Sequence, residues 1–512
     1  RRQRQMCIRD SSLTVLRRAV DARPPICLVY TLAVEIKNEG VVLRRSRCRQ
    51  VSPYLPQRYT FIGTESAPNW HQTAPNVLPP VVVGAGPAGL FATLLLARAG
   101  LRPILLERGQ PVEQRQKDVE NFWSGGPLLP NSNVQFGEGG AGAFSDGKLN
   151  TGTKDPRHRF ILEELVSCGA PESILVDAKP HVGTDMLHIT LKNMRKKLLS
   201  LGADIRFGHR LEGIETRQGQ LTGISVAHGE EIYALPVRNL ILALGHSARD
   251  TVERLYGQGL FMEAKPFAVG VRIEHLQSRM DAVQYKEYAG HPALPVSSYK
   301  LSCHLPDGRG VFSFCVCPGG QVVAAASEPR RTVTNGMSEY ARSGENINGG
   351  LLVGVSPRDF GSDHPLAGIA FQRRLEEAAY RLGGGFTAPC QRVEDFLHHR
   401  PSTGCASVRP SYRPGVRFAD LHDCLPDFIA GALEQALPLL DKKLPGFADG
   451  DALLTAVESR SSAPVRIPRN EDYESNITGL YPCGEGAGYA GGILSAAADG
   501  MRCAEKILAK NL

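Results

Sequence analysis

Three glycines near residue 85 have a spacing that could bind a dinucleotide. Gly84, Gly86 and Gly89 form G-x-G-x-x-G within VVVGAGPAGL. The apolar residues before them predict a buried strand, and those after them a helix. In such a turn the first glycine allows the sharp bend, the second lets the backbone approach a pyrophosphate, and the third lets helix and strand pack closely. Glu107 follows at the end of the next predicted strand, where it could accept hydrogen bonds from ribose hydroxyls.

A second glycine-rich segment, LYPCGEGAGYAGGILSAAADG, covers residues 480–500. It again predicts a strand, a glycine turn and a long helix. Glu485 could accept from a ribityl hydroxyl, and Gly491 and Gly492 would let the backbone approach a flavin. The helix beginning near Ile493 would point its positive end at the flavin pyrimidine. An NAD enzyme needs one such unit, so the second unit, together with Pro87 and Ala88 in the first turn, favours FAD.

The segment GAFSDGKL, residues 142–149, nearly matches the phosphate-binding loop of ATPases. Only the last position differs, because Leu149 stands where a Ser or Thr would hold Mg²⁺. A polar, turn-rich stretch precedes the segment where a strand is required, and Gly152 and Pro156 oppose a helix starting at Lys148. The sequence therefore argues against an ATP site here.

Four side chains are candidates for catalysis. Lys148 could stabilise reduced flavin or bind an anionic substrate, and the alternative is a solvated loop lysine. His246 follows a buried strand on the side where such sheets bind ligands, and the alternative is helix capping, with Arg249 in a surface ion pair. Glu458 and Arg460 could face the flavin or pair with each other. For each residue, the structural alternative is the preferred interpretation.

The twelve cysteines are scattered, and Cys315-Val-Cys317 is the closest pair. No cysteine or histidine spacing is typical of zinc, and we predict no metal site. This usage fits a reducing, cytoplasmic compartment. A redox role for Cys317 is one possibility. We instead predict a buried structural thiol, with the pair on opposite faces of a strand.

The formal net charge is +7. Residues 1–11, which begin RRQRQMCIRD, resemble an adapter-derived artefact, and we exclude them from fold reasoning. They contribute +3, and the remaining +4 is too small to argue for nucleic-acid binding. The apolar run 78–97 is long enough for a membrane span, but its glycines and Pro87 favour strand, turn and helix.

The pattern of elements predicts an α/β fold. We expect a Rossmann-type FAD-binding domain assembled from the discontinuous segments 80–260 and 455–512. An inserted α+β substrate or cap domain would cover 261–454. Residues 12–79 would form a small α+β domain, which could be truncated, and a linker from about 64. A β-meander is predicted after residue 201, and helices at 156–168, 185–201, 365–384 and 427–442.

Several motifs together resemble a bacterial family of FAD-dependent dehydrogenases of unassigned substrate. They are VVVGAGPAGL, NVQFGEGGAGAFSDGKLN, ALGHSARDT, EAKPFAVGVRIEH, SFCVCPGG, GSDHPLAGIAFQR, VESRSSAPVRI and YPCGEGAGYAGGILSAAADG, in order over roughly residues 24–510. The family is similar to the large flavoprotein group that includes amine oxidases and aromatic hydroxylases. The resemblance implies one FAD per chain and a loop, residues 133–149, that passes beneath it. It implies no reaction.

The predicted FAD-binding residues come from these motifs and from the ends of the predicted strands. They are Gly84, Gly86, Pro87, Ala88, Gly89, Glu107, Arg108, Gly137, Gly139, Gly140, Gly142, Leu211, Gly245, Gly484, Glu485, Gly491, Gly492 and Ile493.

The predicted function is an FAD-dependent dehydrogenase that transfers a hydride between a small organic substrate and flavin N5. No second G-x-G-x-x-G unit is present, so NAD(P)H, if used, would bind transiently. The alternatives are an FAD-dependent monooxygenase and a flavin-dependent RNA-modifying or RNA-binding protein. We expect no nucleic-acid partner and no membrane span, and the oligomeric state stays open.

Overall fold

The structure is a computed structural model, and it describes residues 12–23, 25–46, 48–56, 58–61 and 78–511. The predicted artefact and most of the predicted linker lie outside these ranges. In chain order the strands are β1 (Ser12–Asp21), β2 (Cys27–Glu35), β3 (Val81–Val83), β4 (Ile104–Glu107), β5 (Asp204–Phe207), β6 (His209–Arg217), β7 (Gln220–His228), β8 (Glu231–Pro236), β9 (Leu240–Leu242), β10 (Glu263–Ala264), β11 (Phe267–Leu276), β12 (Ser302–His304), β13 (Gly310–Ala324), β14 (Thr334–Met337), β15 (Asn346–Val355), β16 (Ala388–Arg392), β17 (Val416–Phe418), β18 (Leu453–Glu458), β19 (Val465–Arg466) and β20 (Leu480–Pro482).

The α-helices are α1 (Glu39–Arg45), α2 (Pro87–Arg98), α3 (Val112–Trp123), α4 (Pro156–Ser167), α5 (Thr184–Ser200), α6 (Arg249–Gly257), α7 (Gln277–Tyr285), α8 (Pro357–Phe360), α9 (Ala367–Gly383), α10 (Val393–Leu397), α11 (Asp427–Asp441) and α12 (Ile493–Asn511). The helices predicted at 156–168, 185–201, 365–384 and 427–442 therefore form within two residues of their expected bounds. In the described part of the chain, no helix combines the length and apolar character that crossing a membrane requires.

A five-stranded parallel sheet organises the nucleotide-binding half, in the order β20-β9-β3-β4-β5. Its three central strands are fully buried, as their continuous apolar runs predict for a sheet covered on both faces. The carboxyl ends of β3, β4, β9 and β20 lie at one edge, because parallel strands share a direction. Ligands bind at this edge in open α/β sheets.

A mixed eight-stranded sheet forms the other half, in the order β12-β13-β15-β11-β18-β16-β17, with β14 paired to β13. Most pairs are antiparallel. β13 departs from regular pairing with β15 between Phe314 and Cys317 and again before Gly320. Helices α9 and α11 bury apolar side chains in the core of this half. The bulges of β13 lie where the sheet meets the parallel half.

The predicted meander is present as β6, β7 and β8, an antiparallel three-stranded sheet. The strand before the meander, β5, is not part of it, because β5 pairs in parallel with β4 and extends the five-stranded sheet. The N-terminal strands β1 and β2 form a separate hairpin.

The two large sheets agree with a fold of two main parts. The predicted boundary between residues 454 and 455 falls inside β18, which pairs along β11 in the eight-stranded sheet. We therefore propose that the second boundary follows β18, near residue 459, and keep the first near residue 260.

Candidate functional site

The first glycine turn joins β3 to α2, and close backbone contacts require its glycines. Gly84 has φ +106°, and a Cβ there would lie 2.3 Å from the carbonyl oxygen of Ala243. A Cβ on Gly89 would lie 1.8 Å from the carbonyl oxygen of Gly84. Gly86 is the N-cap of α2 and makes no side-chain cap. The first N–H groups of α2 are thus available to an anion at the helix N-terminus.

Glu107 ties this turn to the glycine-rich loop. Its carboxylate accepts hydrogen bonds from the backbone N–H groups of Ala85 at 2.8 Å, Gly109 at 2.8 Å and Gly137 at 2.9 Å. The residue is buried and also lines the cavity described below. One carboxylate therefore fixes two loops while keeping lone pairs for a ribose hydroxyl.

The glycine-rich loop crosses beneath the turn and ends in a charged cluster. Gly140 faces Gly86, and a Cβ on Gly86 would lie 3.9 Å from the Cα of Gly140. After a short 3₁₀ helix, Ala141–Phe144, Asp146 accepts from Arg342 at 2.6 Å and lies 3.2 Å from the ammonium of Lys148. Lys148 begins no helix. It donates to the carbonyl oxygen of Val316 on β13.

The C-terminal segment closes the same edge of the parallel sheet. Gly491 and Gly492 precede α12, and a Cβ on either would meet nothing within 4 Å. Glu485 follows β20, and its carboxylate lies 3.2 Å from Nδ1 of His246. That approach does not have the geometry of a hydrogen bond, and both buried ring nitrogens of His246 are without a hydrogen-bond partner. Open space above two glycines and unpaired polar atoms beside them suit a polar ligand at this position.

These segments surround one cavity of about 360 Å³. The predicted FAD-binding residues line it except Gly89, Gly137 and Gly139, which pack behind it. The lining includes Glu107, Arg108 and Leu211 of the parallel-sheet half, the segment 491–493, and Phe314, Cys315 and Glu458 of the eight-stranded sheet. We call the part of the cavity at the eight-stranded sheet the junction end.

The four catalytic candidates, Lys148, His246, Glu458 and Arg460, all line this cavity. Glu458 lies at the end of β18 and is 3% exposed. Its carboxylate pairs at 2.9 Å with Arg272 of β11, which is fully buried. Burial raises the pKa of Glu458 to about 7, although Arg272 opposes that rise. Glu458 can therefore change protonation near neutral pH.

Arg460 belongs to a buried ion cluster and does not pair with Glu458. Its guanidinium and that of Arg249 both bind the carboxylate of Glu376 on α9, at distances of 2.7–3.0 Å. Arg249 is 1% exposed, so the alternative of a surface ion pair is wrong for it. Its neighbour Asp250 instead pairs with Arg108. This cluster connects α6, α9 and the segment after β18.

The thiols of Cys315 and Cys317 lie on the same side of β13, and the expectation of opposite faces is wrong. Residues two apart on a strand share a face. At the bulge, where Cys315 has φ +43°, the Cys317 thiol donates to the carbonyl oxygen of Cys315 at 3.3 Å. Cys317 is fully buried, as predicted, while Cys315 lines the cavity. The sequence shows that the two cysteines are close along the chain, but it does not predict the bulge in β13.

One group of side chains could hold a metal ion within the described ranges: His399, His422 and Glu434. Their ligand atoms lie within 4.8 Å of one another, and Nδ1 of His422 is 2.6 Å from Asp420. The group lies outside the cavity lining. Sequence reasoning missed it, because its members are separated along the chain and match no metal-binding spacing.

Comparisons with known proteins agree with this geometry. A family described as "FAD-dependent protein, C-terminal domain-like" matches residues 266–461, and an "FAD binding domain" family matches residues 77–117. An uncharacterized protein of Clostridium beijerinckii is 47% identical over 507 residues, covering 98% of this chain and 93% of that protein.

Among solved structures, a flavin-dependent brominase is 12% identical, with a TM-score of 0.38 over 84% of this chain and 80% of its own. The glycerol-3-phosphate dehydrogenase from Bacillus halodurans, complexed with FAD, is 12% identical, with a TM-score of 0.34 over 88% of this chain and 68% of its own. The two family models match segments in both halves around the cavity, and the Clostridium protein matches almost the whole chain. The chain therefore belongs to the family of this Clostridium beijerinckii protein, with FAD as its cofactor, and it is a flavin-dependent oxidoreductase.

Proposed function

We propose that the protein is a dehydrogenase that oxidises a small polar organic molecule, with Glu458 as the group that accepts the substrate proton. The observation that carries this proposal is a buried carboxylate with a pKa of about 7 that lines the cavity at the junction of the sheets. A base with a pKa near the working pH transfers protons efficiently. When bound, FAD supplies a hydride acceptor at flavin N5.

We further propose that the cavity holds FAD with its pyrophosphate at the N-terminus of α2. Gly84, Gly86 and Gly140 would let backbone approach the phosphates, and Gly491 and Gly492 would do the same for the flavin. The supporting observations are the unfilled space above both terminal glycines and the absence of a side-chain cap on α2. The helix N-terminus favours phosphate charge there.

The chemistry of the junction end favours a polar substrate. Lys148, Asp146, Asn335, Ser461 and Glu458 all line this part of the cavity. Lys148 and Asp146 offset each other's charge at 3.2 Å, so the end is polar without a large net charge. Small hydroxy or amino compounds can form hydrogen bonds with such a surface, whereas a purely apolar substrate would leave these groups unpaired.

The test is anaerobic reduction of the FAD-loaded protein by a panel of small hydroxy and amino acids and polyols. We expect one class to bleach the visible flavin absorbance. The rate should rise with pH through about pH 7, because Glu458 accepts a proton only when ionised. Glu458→Gln should retain FAD and lower the rate by roughly 10²–10⁴-fold, with no remaining pH step.

The matched control is Glu120→Gln, because the Glu120 side chain is half exposed and pairs weakly with Arg413 at 3.6 Å. It should leave the rate and its pH dependence unchanged.

An unaltered pH step in Glu458→Gln would contradict the role of Glu458. Substrate-stimulated consumption of NAD(P)H and O₂, without anaerobic bleaching, would replace dehydrogenation by monooxygenation. Protein that neither carries nor takes up FAD would overturn the assignment of the cavity.

A further inference from the structure

The segment Cys315-Val-Cys317 lies between two cations at the junction end of the cavity. Arg272 donates to the carbonyl oxygen of Cys315 at 3.0 Å, and its Nη2 lies 3.8 Å from Sγ of Cys317. Lys148 donates to the carbonyl oxygen of Val316 between them. Positive charge on both sides of the segment stabilises a thiolate there.

The two thiols differ in access and in acidity. Cys315 lines the cavity, whereas Cys317 lies behind it and is fully buried. The neighbouring Cys317 thiol, followed by the charges of Lys148 and Arg272, holds the pKa of Cys315 well below that of an ordinary thiol, although burial opposes this. The neighbouring Cys315, together with burial, raises the pKa of Cys317, whose thiol donates to the carbonyl oxygen of Cys315 at 3.3 Å. One accessible thiolate backed by one protonated thiol is the arrangement used in thiol–disulfide exchange.

The other charged groups near the pair leave this balance in place. Asp146, on the glycine-rich loop, opposes ionisation of Cys315, but it already binds Arg342 and lies 3.2 Å from Lys148. Glu458, on β18, pairs with Arg272. Three cations, Lys148, Arg272 and Arg342, therefore face two anions, so positive charge remains beside the pair.

We propose that Cys315 and Cys317 form a redox-active dithiol, a second redox centre beside the flavin, which passes two electrons to a low-molecular-mass disulfide. The inference rests on the proposed function, because the electrons come from the organic substrate through FAD. In the disulfide state, the Cys315–Cys317 bond takes two electrons from the reduced cofactor. Two protons, one from the reduced cofactor and one from solvent, would complete the two thiols.

Exchange then returns the pair to the disulfide. Cys315 gives up its proton, and its thiolate attacks one sulfur of the small disulfide. The S–S bond breaks, and the first small thiol departs with that proton. Cys317 loses its proton and attacks the Cys315 sulfur, and the second small thiol departs with that proton. One small disulfide has become two thiols, and one S–S bond has formed between Cys315 and Cys317.

The first test uses hydroxyethyl disulfide as the probe and peptide mass spectrometry as the readout. After exposure to the probe and alkylation with N-ethylmaleimide, the wild-type peptide should carry no label at either cysteine and be lighter than the dithiol by two hydrogens. Cys317→Ser should accumulate a mixed disulfide at Cys315. Cys315→Ser should accumulate none.

Cys390→Ser is the matched control. Cys390 is fully buried, and burial raises its pKa to about 12. This variant should behave as the wild type. Full double labelling of the wild-type peptide after exposure to the probe would overturn the proposal.

The second test is anaerobic dithionite titration of the FAD-loaded disulfide form. About two equivalents per FAD are expected for the wild type and about one for Cys315→Ser, since the disulfide is a further two-electron couple. About one equivalent for both would overturn exchange with the flavin. The labelling test does not involve the flavin. Its result therefore stays the same if the proposed dehydrogenase function fails. Full double labelling of the wild-type peptide, in a protein whose flavin is still bleached by substrate, contradicts this inference alone.

Discussion

At the scale of single residues, Lys148 links the glycine-rich loop to the eight-stranded sheet. Its ammonium contacts Val316 and Asp146, and its side chain is 29% exposed, toward the cavity that it lines. Burial lowers the pKa of Lys148, but the nearby Cys317, Asp146 and Cys315 outweigh it, so the pKa is raised overall. Lys148 therefore stays charged at neutral pH and is not a solvated loop lysine. Its glycine-rich surroundings belong to the cofactor cavity.

The variant Lys148→Met isolates this charge. It should keep FAD, because it leaves the glycine turns that are proposed to bind the cofactor unchanged. The pKa of Cys315 should rise, since a stabilising cation is lost, and maleimide should then label Cys315 several-fold more slowly at pH 6. Lys154→Met, at an exposed position, is the control. An unchanged labelling rate in Lys148→Met would mean that Lys148 does not act on the thiolate.

At the scale of elements, the glycines around α2 and α12 have two different purposes. Gly89 allows α2 to lie against the end of β3, because any Cβ would collide with the backbone of Gly84. Gly500 does the same for α12, where a Cβ would lie 2.0 Å from the carbonyl oxygen of Ala88. A Cβ on Gly491 or Gly492 would meet no other atom within 4 Å. The space beside these two glycines is therefore not filled by the protein's own side chains.

Gly89→Ala tests the first purpose. The added methyl must move α2 away from β3, and overpacking of this kind lowers the free energy of unfolding by about 1–3 kcal/mol. Urea unfolding of the FAD-free protein measures the loss. Gly257→Ala, at the end of α6 with open space around it, should have almost no effect. Equal stability of the two variants would contradict the close packing of α2.

Gly492→Leu tests the second purpose. The leucine should fill the cavity, so FAD binding should weaken by at least tenfold while the FAD-free protein unfolds at the same urea concentration as the wild type. Fluorescence titration with FAD and urea unfolding give the two values. Normal FAD affinity in this variant would place the flavin elsewhere.

The glycine turns could be predicted from the sequence because each depends on local backbone geometry. The spacing G-x-G-x-x-G is typical of that geometry. The sequence predicts Glu107 for a ribose but not its three backbone hydrogen bonds, since they join residues up to 30 positions apart. The pairing of Glu458 with Arg272 and the bulge at Cys315 depend on how β11, β13 and β18 align. The spacing of residues along the chain does not predict how these strands align.

At the scale of the whole molecule, buried ions connect the two halves. Glu376 of α9 binds Arg249 of α6 and Arg460 after β18, and it is fully buried. Burial raises the pKa of Glu376, but the two arginines outweigh it and hold the pKa well below its usual 4.5. Because the folded-state pKa is depressed, this contribution to stability is complete above about pH 5 and is lost as the pH falls.

Glu376→Gln should therefore destabilise the protein by about 3–5 kcal/mol at pH 7, because two buried arginines lose their counter-ion. The destabilisation relative to wild type should shrink as the pH falls toward 3. Urea unfolding at several pH values measures both effects. The control, Glu377→Gln, removes a partly exposed ion pair with Arg331 and should lower stability by less than about 1 kcal/mol. A similar, pH-independent loss in both variants would show that Glu376 does not hold the halves together.

The cavity is lined by residues from Val83 to Ala496, and this order has a consequence during synthesis. A ribosome releases the first glycine turn hundreds of residues before the segment that would cover the proposed flavin position. Until α12 emerges and docks on α2, the growing chain has only part of its binding surface. FAD capture should thus occur after translation of α12, and cells short of riboflavin would accumulate finished but empty chains.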